Sequence, residues 1–177
     1  MLRFIFACFF FFFALHVQAI EKKETYGIQS NLSSWFLNGN NFAFWYQKYG
    51  QRYRVSISSA DMPGYYTAQG LANHTVNSYS FYWDHFRFEN NKLWLGGGLE
   101  IWEGQLRKEA VQEVKSYINF NVIGTGGYLW NFHNSFYLAP ELTLSVNFGE
   151  KSHTIENTAF NTQWVYVFAN LHLGWYF

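Results

Sequence analysis

The sequence predicts an all-β protein, an antiparallel up-and-down transmembrane β-barrel of eight strands. Three observations carry this. Charged residues make up 14% of the chain and aromatics 23%, whereas roughly a quarter of an ordinary soluble domain is charged. Long stretches alternate apolar and polar side chains with a period of two, the signature of strands with two different faces. The connections between these stretches fall into a short set and a longer, polar set, as in a barrel whose turns at one end are tight. With only two prolines, little interrupts strand formation.

The first 19 residues, MLRFIFACFFFFFALHVQA, stand apart. Arg3 precedes an apolar run from Phe4 to Leu15, and Val17-Gln18-Ala19 closes it with a small-x-small pattern. This reads as a secretory signal peptide cleaved after Ala19, leaving residues 20–177 as one barrel domain. The apolar run is shorter than the roughly 20 residues a spanning helix needs. Cys8 is the single cysteine and lies inside this run. Small exported domains often rely on disulfides; here closure of the ring takes that role.

Eight candidate strands follow, at about 25–36, 40–48, 52–59, 78–89, 92–103, 114–130, 135–148 and 163–177. The first four are less regular. NFAFWYQKY is aromatic on both faces, and SYSFYWDHFRF leaves the register open after Trp83. The fifth sets Leu93, Leu95, Leu99 and Ile101 against Lys92, Trp94, Gly96, Gly98, Glu100 and Trp102. The sixth turns Ile118, Phe120, Val122, Tyr128 and Trp130 outward, opposite Lys115, Tyr117, Asn119, Asn121 and Thr125. In the seventh, Phe136, Leu138, Leu142, Leu144, Val146 and Phe148 share a face with Pro140, whose missing N–H is expected to sit at a local bulge. Its other face carries Tyr137, Ala139, Glu141, Thr143, Ser145 and Asn147. The eighth, WVYVFANLHLGWYF, is apolar at every odd position from Val165 to Phe177. Its even positions are Trp164, Tyr166, Phe168, Asn170, His172, Gly174 and Tyr176.

Segments 49–51, 89–91 and 131–134 read as tight turns, and 60–77, 104–113 and 149–162 as longer loops, with 37–40 short as well. Both termini then lie at the tight-turn end. The final strand, with Leu171, Leu173, Trp175 and Phe177 at alternate positions and an aromatic last residue, resembles that of the small eight-stranded outer-membrane β-barrel proteins of Gram-negative bacteria. The resemblance spans the chain after residue 19. It implies a location in the cell outer membrane, outer-membrane lipids as surroundings, and recognition of the strand ending at Phe177 by the barrel-assembly machinery. It implies no activity.

Zero formal net charge gives no reason to expect a nucleic-acid partner. The inward faces hold Arg54, Asp84, Lys92, Glu100, Lys115 and Glu141. Charges inside a narrow ring must be paired or hydrated, so an ion-pair network is expected, packed by Trp94, Trp102, Trp164 and Tyr166. Eight strands are too few for a general diffusion pore, though a narrow ion path stays open. The expectation is therefore a non-enzymatic barrel with a structural or surface-interaction role. Two alternatives remain: a lipid A-modifying enzyme, as some members of the resembling group are, and a soluble periplasmic lipocalin-like barrel with its apolar residues turned inward.

An enzyme would need a serine and a histidine in register with an acid. His133 with Ser135 falls in a tight turn at the wrong end. Ser152 and His153 are adjacent, which points them apart. His74 and His153 could meet above the mouth with Asp61 or Glu156, but no ligand spacing for a metal emerges. His172 faces the lumen and His85 is undetermined. The sequence thus assigns no catalytic, cofactor-binding or metal-binding residue and no cofactor. The stretch 59–77 offers Met62, Tyr65, Tyr66 and Leu71 as an exposed surface for a possible ligand. Asn31-Leu32-Ser33 and Asn73-His74-Thr75 fit the glycosylation pattern, without meaning in a bacterial host.

Overall fold

The alternation read from the sequence becomes a closed ring in the computed structural model, which describes residues 24–63, 65–66, 71–86, 92–108, 114–132, 135–155 and 158–177. The signal-peptide expectation, His133, Glu156 and the turn 89–91 lie outside these residues. In chain order the elements are β1 (Thr25–Asn31), α1 (Leu32–Trp35), β2 (Asn40–Lys48), β3 (Gln51–Asp61), β4 (Leu71–Phe86), β5 (Leu93–Lys108) and β6 (Val114–Tyr128). Then come β7 (Trp130–Asn131), β8 (Phe136–Asn147), β9 (Ser152–Ile155), β10 (Thr158–Asn161) and β11 (Val165–Tyr176). Each barrel strand pairs antiparallel with the next; β7 continues β6 along β8, and β11 returns to pair with β1. That gives eight walls. Phe177 completes the seam, its N–H donating to the Tyr26 carbonyl at 3.0 Å.

Ladder partners fix the stagger. From Ile28 they run through Phe44, Val55, Phe81, Leu99, Val122, Val146 and Val165. Since Trp175 pairs with Ile28, Val165 falls opposite position 38, ten residues further along the first strand. A stagger of this kind accompanies a strand tilt of about 40°.

Burial is the reverse of a soluble barrel. Ile118 and Phe120 are each 60% exposed and Leu142 59%, while Arg52 and Asp84 are 0% exposed. The outward face forms an apolar band with Tyr53, Trp83, Tyr128, Trp130, Phe136 and Trp175 toward the terminal end and Phe148 toward the other, where Trp35, Phe36 and Trp164 are exposed as well. This is the arrangement a lipid-embedded barrel needs, and it overturns the lipocalin-like alternative, whose apolar residues would face inward.

Several expectations are corrected. The first strand stops at Asn31, not at 36, because the Asn31 side chain accepts the Ser33 N–H at 3.0 Å and caps a helical turn; Asn and Ser offer the backbone such local alternatives to a ladder. Pro140 causes no bulge: it pairs with Leu171 on the β11 side. The β6 ladder ends at Gly127–Glu141 and resumes in β7 at Trp130–Leu138 with the register unshifted. The wall accommodates the missing donor with a gap in one ladder. β3, β4 and β5 run further than expected, the latter two to Leu71 and Lys108, because Asn73, Gln105 and Arg107, whose polarity suggested loops, sit on strands rising past the apolar band. The stretch 149–162 contains the hairpin β9–β10. Lys115 and Trp164 do not fill the lumen: they share the inward parity of Tyr117 and Tyr166 but lie beyond the buried part of their strands and are exposed, Trp164 at 67%.

The β2–β3 turn shows the local logic. Two residues, Tyr49 and Gly50, connect the strands with φ of 52° and 71°, the double left-handed geometry that matches strand twist in a tight hairpin.

Candidate functional site

The lumen is built in three layers. At the terminal end Trp45, Phe86, Trp94, Leu129, Tyr137 and Ala139 pack into an apolar plug. Glycines opposite make room for the rings: a Cβ on Gly174 would lie 2.0 Å from Tyr137 Cζ, and one on Gly27 would lie 2.3 Å from Trp45 Cζ2.

Above the plug lies a polar chain that crosses the lumen. Trp45 Nε1 donates to Tyr137 Oη at 2.7 Å, which donates to Gln29 Oε1 at 2.9 Å. Gln29 Nε2 donates to His172 Nδ1 at 3.2 Å, and His172 Nε2 faces Glu141 Oε1 at 3.4 Å. Glu141 Oε2 pairs with Arg54 Nη2 at 2.8 Å, Arg54 Nε lies 2.7 Å from Asp84 Oδ2, and Arg52 Nε donates to the same oxygen at 2.9 Å. Thr125 and Thr143 hydroxyls donate to Asp84 and Glu141. Two guanidinium charges thus meet two carboxylates, as buried charges require. Arg52 also lies over the rings of Trp94 at 4.5 Å and Phe86 at 5.1 Å, contacts that suit a desolvated cation.

Of the six charged residues expected inside, Arg54, Asp84 and Glu141 meet in this network. Glu100 sits apart, accepting from Ser80 at 3.0 Å; Lys92 is half-buried near the start of β5, and Lys115 is exposed beyond the closed part of the wall. Arg52 joins them without having been expected, although it lies two residues before Arg54 and therefore on the same face. His172 is inward as expected, and His85 meets Gln51 Nε2 at 3.1 Å.

The outer half is divided. On the β4–β5–β11 side Val76, Trp102 and Tyr166 fill it, with Met62, Tyr66 and Phe168 packed against them. On the β2–β3 side the inward residues are small, Ala43, Ser56, Ser58 and Ala60, and they leave a cavity of about 350 Å³. That is within the size range of small-molecule sites, ~300–1,000 Å³. Arg54, Tyr82, Glu100 and Glu141 also line it, and Met62, Pro63 and Tyr65 line it toward the outer end.

The wall beside this cavity is incomplete. β11 pairs with β1 only from His172 to Tyr176. Its upper part, Val165–Leu171, pairs with β8 on one side, while the other side faces α1 and the turn that follows. Side chains substitute for the missing strand. Leu171 N–H donates to Ser33 Oγ at 3.1 Å; Val167 N–H donates to Tyr66 Oη at 2.7 Å, which donates back to the Val167 carbonyl at 3.0 Å.

At the outer rim the hairpin β9–β10 folds over the mouth, burying Ile155 and Phe160 against Leu106 and Tyr117. His74 and His153 do converge there, both on Tyr117: His74 Nε2 and Tyr117 Oη share a hydrogen bond at 2.5 Å, and the His153 ring lies 4.6 Å from the Tyr117 ring. Burial lowers the His74 pKa to about 4, with His153 adding to the shift, and lowers that of His153. Asp61 is not with them; it accepts from Thr75 at 2.9 Å and from Asn38 at 3.3 Å. Among the described residues no group of three or more His, Cys, Asp or Glu is placed to hold a metal. Ser152 is exposed and His153 buried, so the two point to opposite faces of β9.

No family model matches the sequence, and no curated protein matches it. Among solved structures, the chain is similar to the crystal structure of Neisserial surface protein A. The TM-score is 0.52 at 12% identity, covering 86% of this chain and 93% of that one. It also aligns with the N-terminal β-barrel domain of OprF from Pseudomonas aeruginosa, with a TM-score of 0.45 at 11% identity over 87% of this chain and 96% of that one. The likeness is one of fold, and the fold is that of the small eight-stranded outer-membrane barrels.

Proposed function

From that shared fold, we propose that this chain is a non-enzymatic barrel of the outer membrane, exported by its first 19 residues, with a structural or surface-interaction role. One observation carries the reading: burial is inverted. An apolar band faces out, while Arg52, Arg54, Asp84 and Glu141 are buried in an ion-paired layer across the lumen. Such a ring satisfies its wall in lipid and, with the aromatic plug beneath, supports no general diffusion path. The opposite faces of Ser152 and His153 favour a role without turnover. Contact with other molecules then belongs to the outer end, at the segment with Met62, Tyr65 and Tyr66. The strand ending at Phe177 is the part offered to the barrel-assembly machinery, and outer-membrane lipids are the surroundings.

The test is fractionation with gel mobility, boiled against unboiled, followed by reconstitution into planar bilayers. The expected result is a heat-dependent shift of an envelope protein that gives no steady conductance. A soluble periplasmic protein without a shift would overturn the membrane assignment, and a stable open channel would overturn the sealed lumen.

A further inference from the structure

We propose that the cavity in the outer half of the barrel is a binding site for one aliphatic chain of a bilayer amphiphile, entered sideways through the gap between α1 and β11. The proposal rests on the outer-membrane reading above and adds a ligand class and a route.

The route follows from the wall. Opposite Val165–Leu171, where the stagger places positions 32–38, there is no strand. In lipid every backbone group needs a partner, and here the Ser33 hydroxyl serves Leu171 and the Tyr66 hydroxyl serves Val167. A ladder cannot part without losing a row of bonds, whereas two side chains can rotate away. Below them the Asn31 amide donates to Asn170 Oδ1 at 2.9 Å and marks the lower edge of the gap. The mouth lies at the level of the membrane, because the outward residues of this part of β11, Val165, Val167, Ala169 and Leu171, belong to the apolar band. Two residues that line the cavity are exposed beside the gap: Ala169, on the outward face of β11, and Phe36, just after α1, at 88% exposure. The cavity therefore extends to the gap.

The ligand class follows from the lining. Its polar groups already hold one another: the Ser58 and Ser78 hydroxyls at 2.7 Å, Ser80 with Glu100 at 3.0 Å, Asn31 with Asn170, and Arg54 with Asp84 and Glu141. An occupant is asked for few hydrogen bonds and is offered Ala43, Ala60, Val76, Trp102 and Phe168 to pack against. A cavity of about 350 Å³ lies at the lower end of the range of small-molecule sites, ~300–1,000 Å³, a size that suits one hydrocarbon chain. The bilayer is the source this route favours, since the gap between α1 and β11 lies at the level of the apolar band.

The experiment reconstitutes the full chain in phosphatidylcholine vesicles containing a trace of a lysophosphatidylcholine with a photoreactive diazirine near the end of its chain. Labelled residues are read by mass spectrometry. Labelling at Ala43, Ser58 or Trp102 is expected, in addition to the outward band. Ser58→Trp fills the cavity and Ala169→Trp obstructs the mouth from outside; both should bring lumen labelling to the level of an unirradiated sample, while labelling of Leu142 and Phe120 persists. Each variant is checked for the heat-dependent gel shift, and Ala169→Trp, being outward, keeps the test alive if Ser58→Trp does not fold. A shift retained with label only on outward residues overturns this inference and leaves the barrel reading standing. Loss of the shift in the unaltered chain overturns that reading itself. Lumen labelling that persists in Ala169→Trp overturns the sideways route.

Discussion

Arg54 shows how much a single lumenal side chain carries. It meets Asp84 and Glu141 at once, at 2.7 and 2.8 Å, and removing either acid strands a buried cation. Glu141→Leu should destabilise the barrel by about 3–5 kcal/mol, the usual consequence of breaking one half of a buried pair. The double variant Arg54→Met with Glu141→Leu should lose less than the single one, since no unpaired guanidinium remains on that side. Urea midpoints of the refolded proteins, read by tryptophan fluorescence, decide this; equal losses would show that the pair contributes no coupling. The participants were partly legible. Parity put Arg54, Asp84 and Glu141 on inward faces, and the same parity pointed at Arg52. It could not say that Glu100 would satisfy itself with Ser80, or that Lys115 would lie beyond the closed part of the wall, because both depend on height along the barrel.

Strands and hairpins obey the same physics at a larger size. The outward face of β8 is apolar from Phe136 to Phe148, and Leu142 near its middle is 59% exposed. Leu142→Arg should cost about 2–4 kcal/mol in a bilayer, whereas the same change at Asn73, beyond the apolar band, should cost little; refolding yields in vesicles against urea compare them. The hairpin β9–β10 offers a pH test. Unfolded histidine titrates near 6.5, and burial holds His74 down to about 4 and pushes His153 down as well, with Glu150 and Lys115 acting on His153 in opposite senses. A lowered value means that the folded hairpin binds fewer protons than the open one. Its packing is therefore fully stable above about pH 6.5, weakens as the pH falls below that, and has lost this contribution below about 4. Amide exchange in β9 and β10 should be faster at pH 5 than at pH 7.5, and His153→Phe should flatten the difference; exchange independent of pH in the unaltered chain would refute it. Sequence polarity hid this hairpin, since Ser152–Asn161 alternates over too few residues to separate a strand from a loop.

For the whole molecule, the sequence by itself determined the class of fold. Period-two alternation over long segments, low charge and an apolar last strand leave few arrangements that bury polar faces and expose apolar ones, and a closed ring in lipid is the one that satisfies its backbone. These are local properties, carried by each residue's parity on its own strand. Tertiary structure decided what depends on closure. The ten-residue stagger sets which residues share a level, and so brings Arg52 and Arg54 to Asp84 across β3 and β4, and Glu141 to His172 across the β8–β11 pair. It also sets Val165–Leu171 against a helical turn in place of a strand, which opens the wall. Capping by Asn31 ends β1 locally, but only the return of the last strand to the first turns that short strand into a gap beside a cavity.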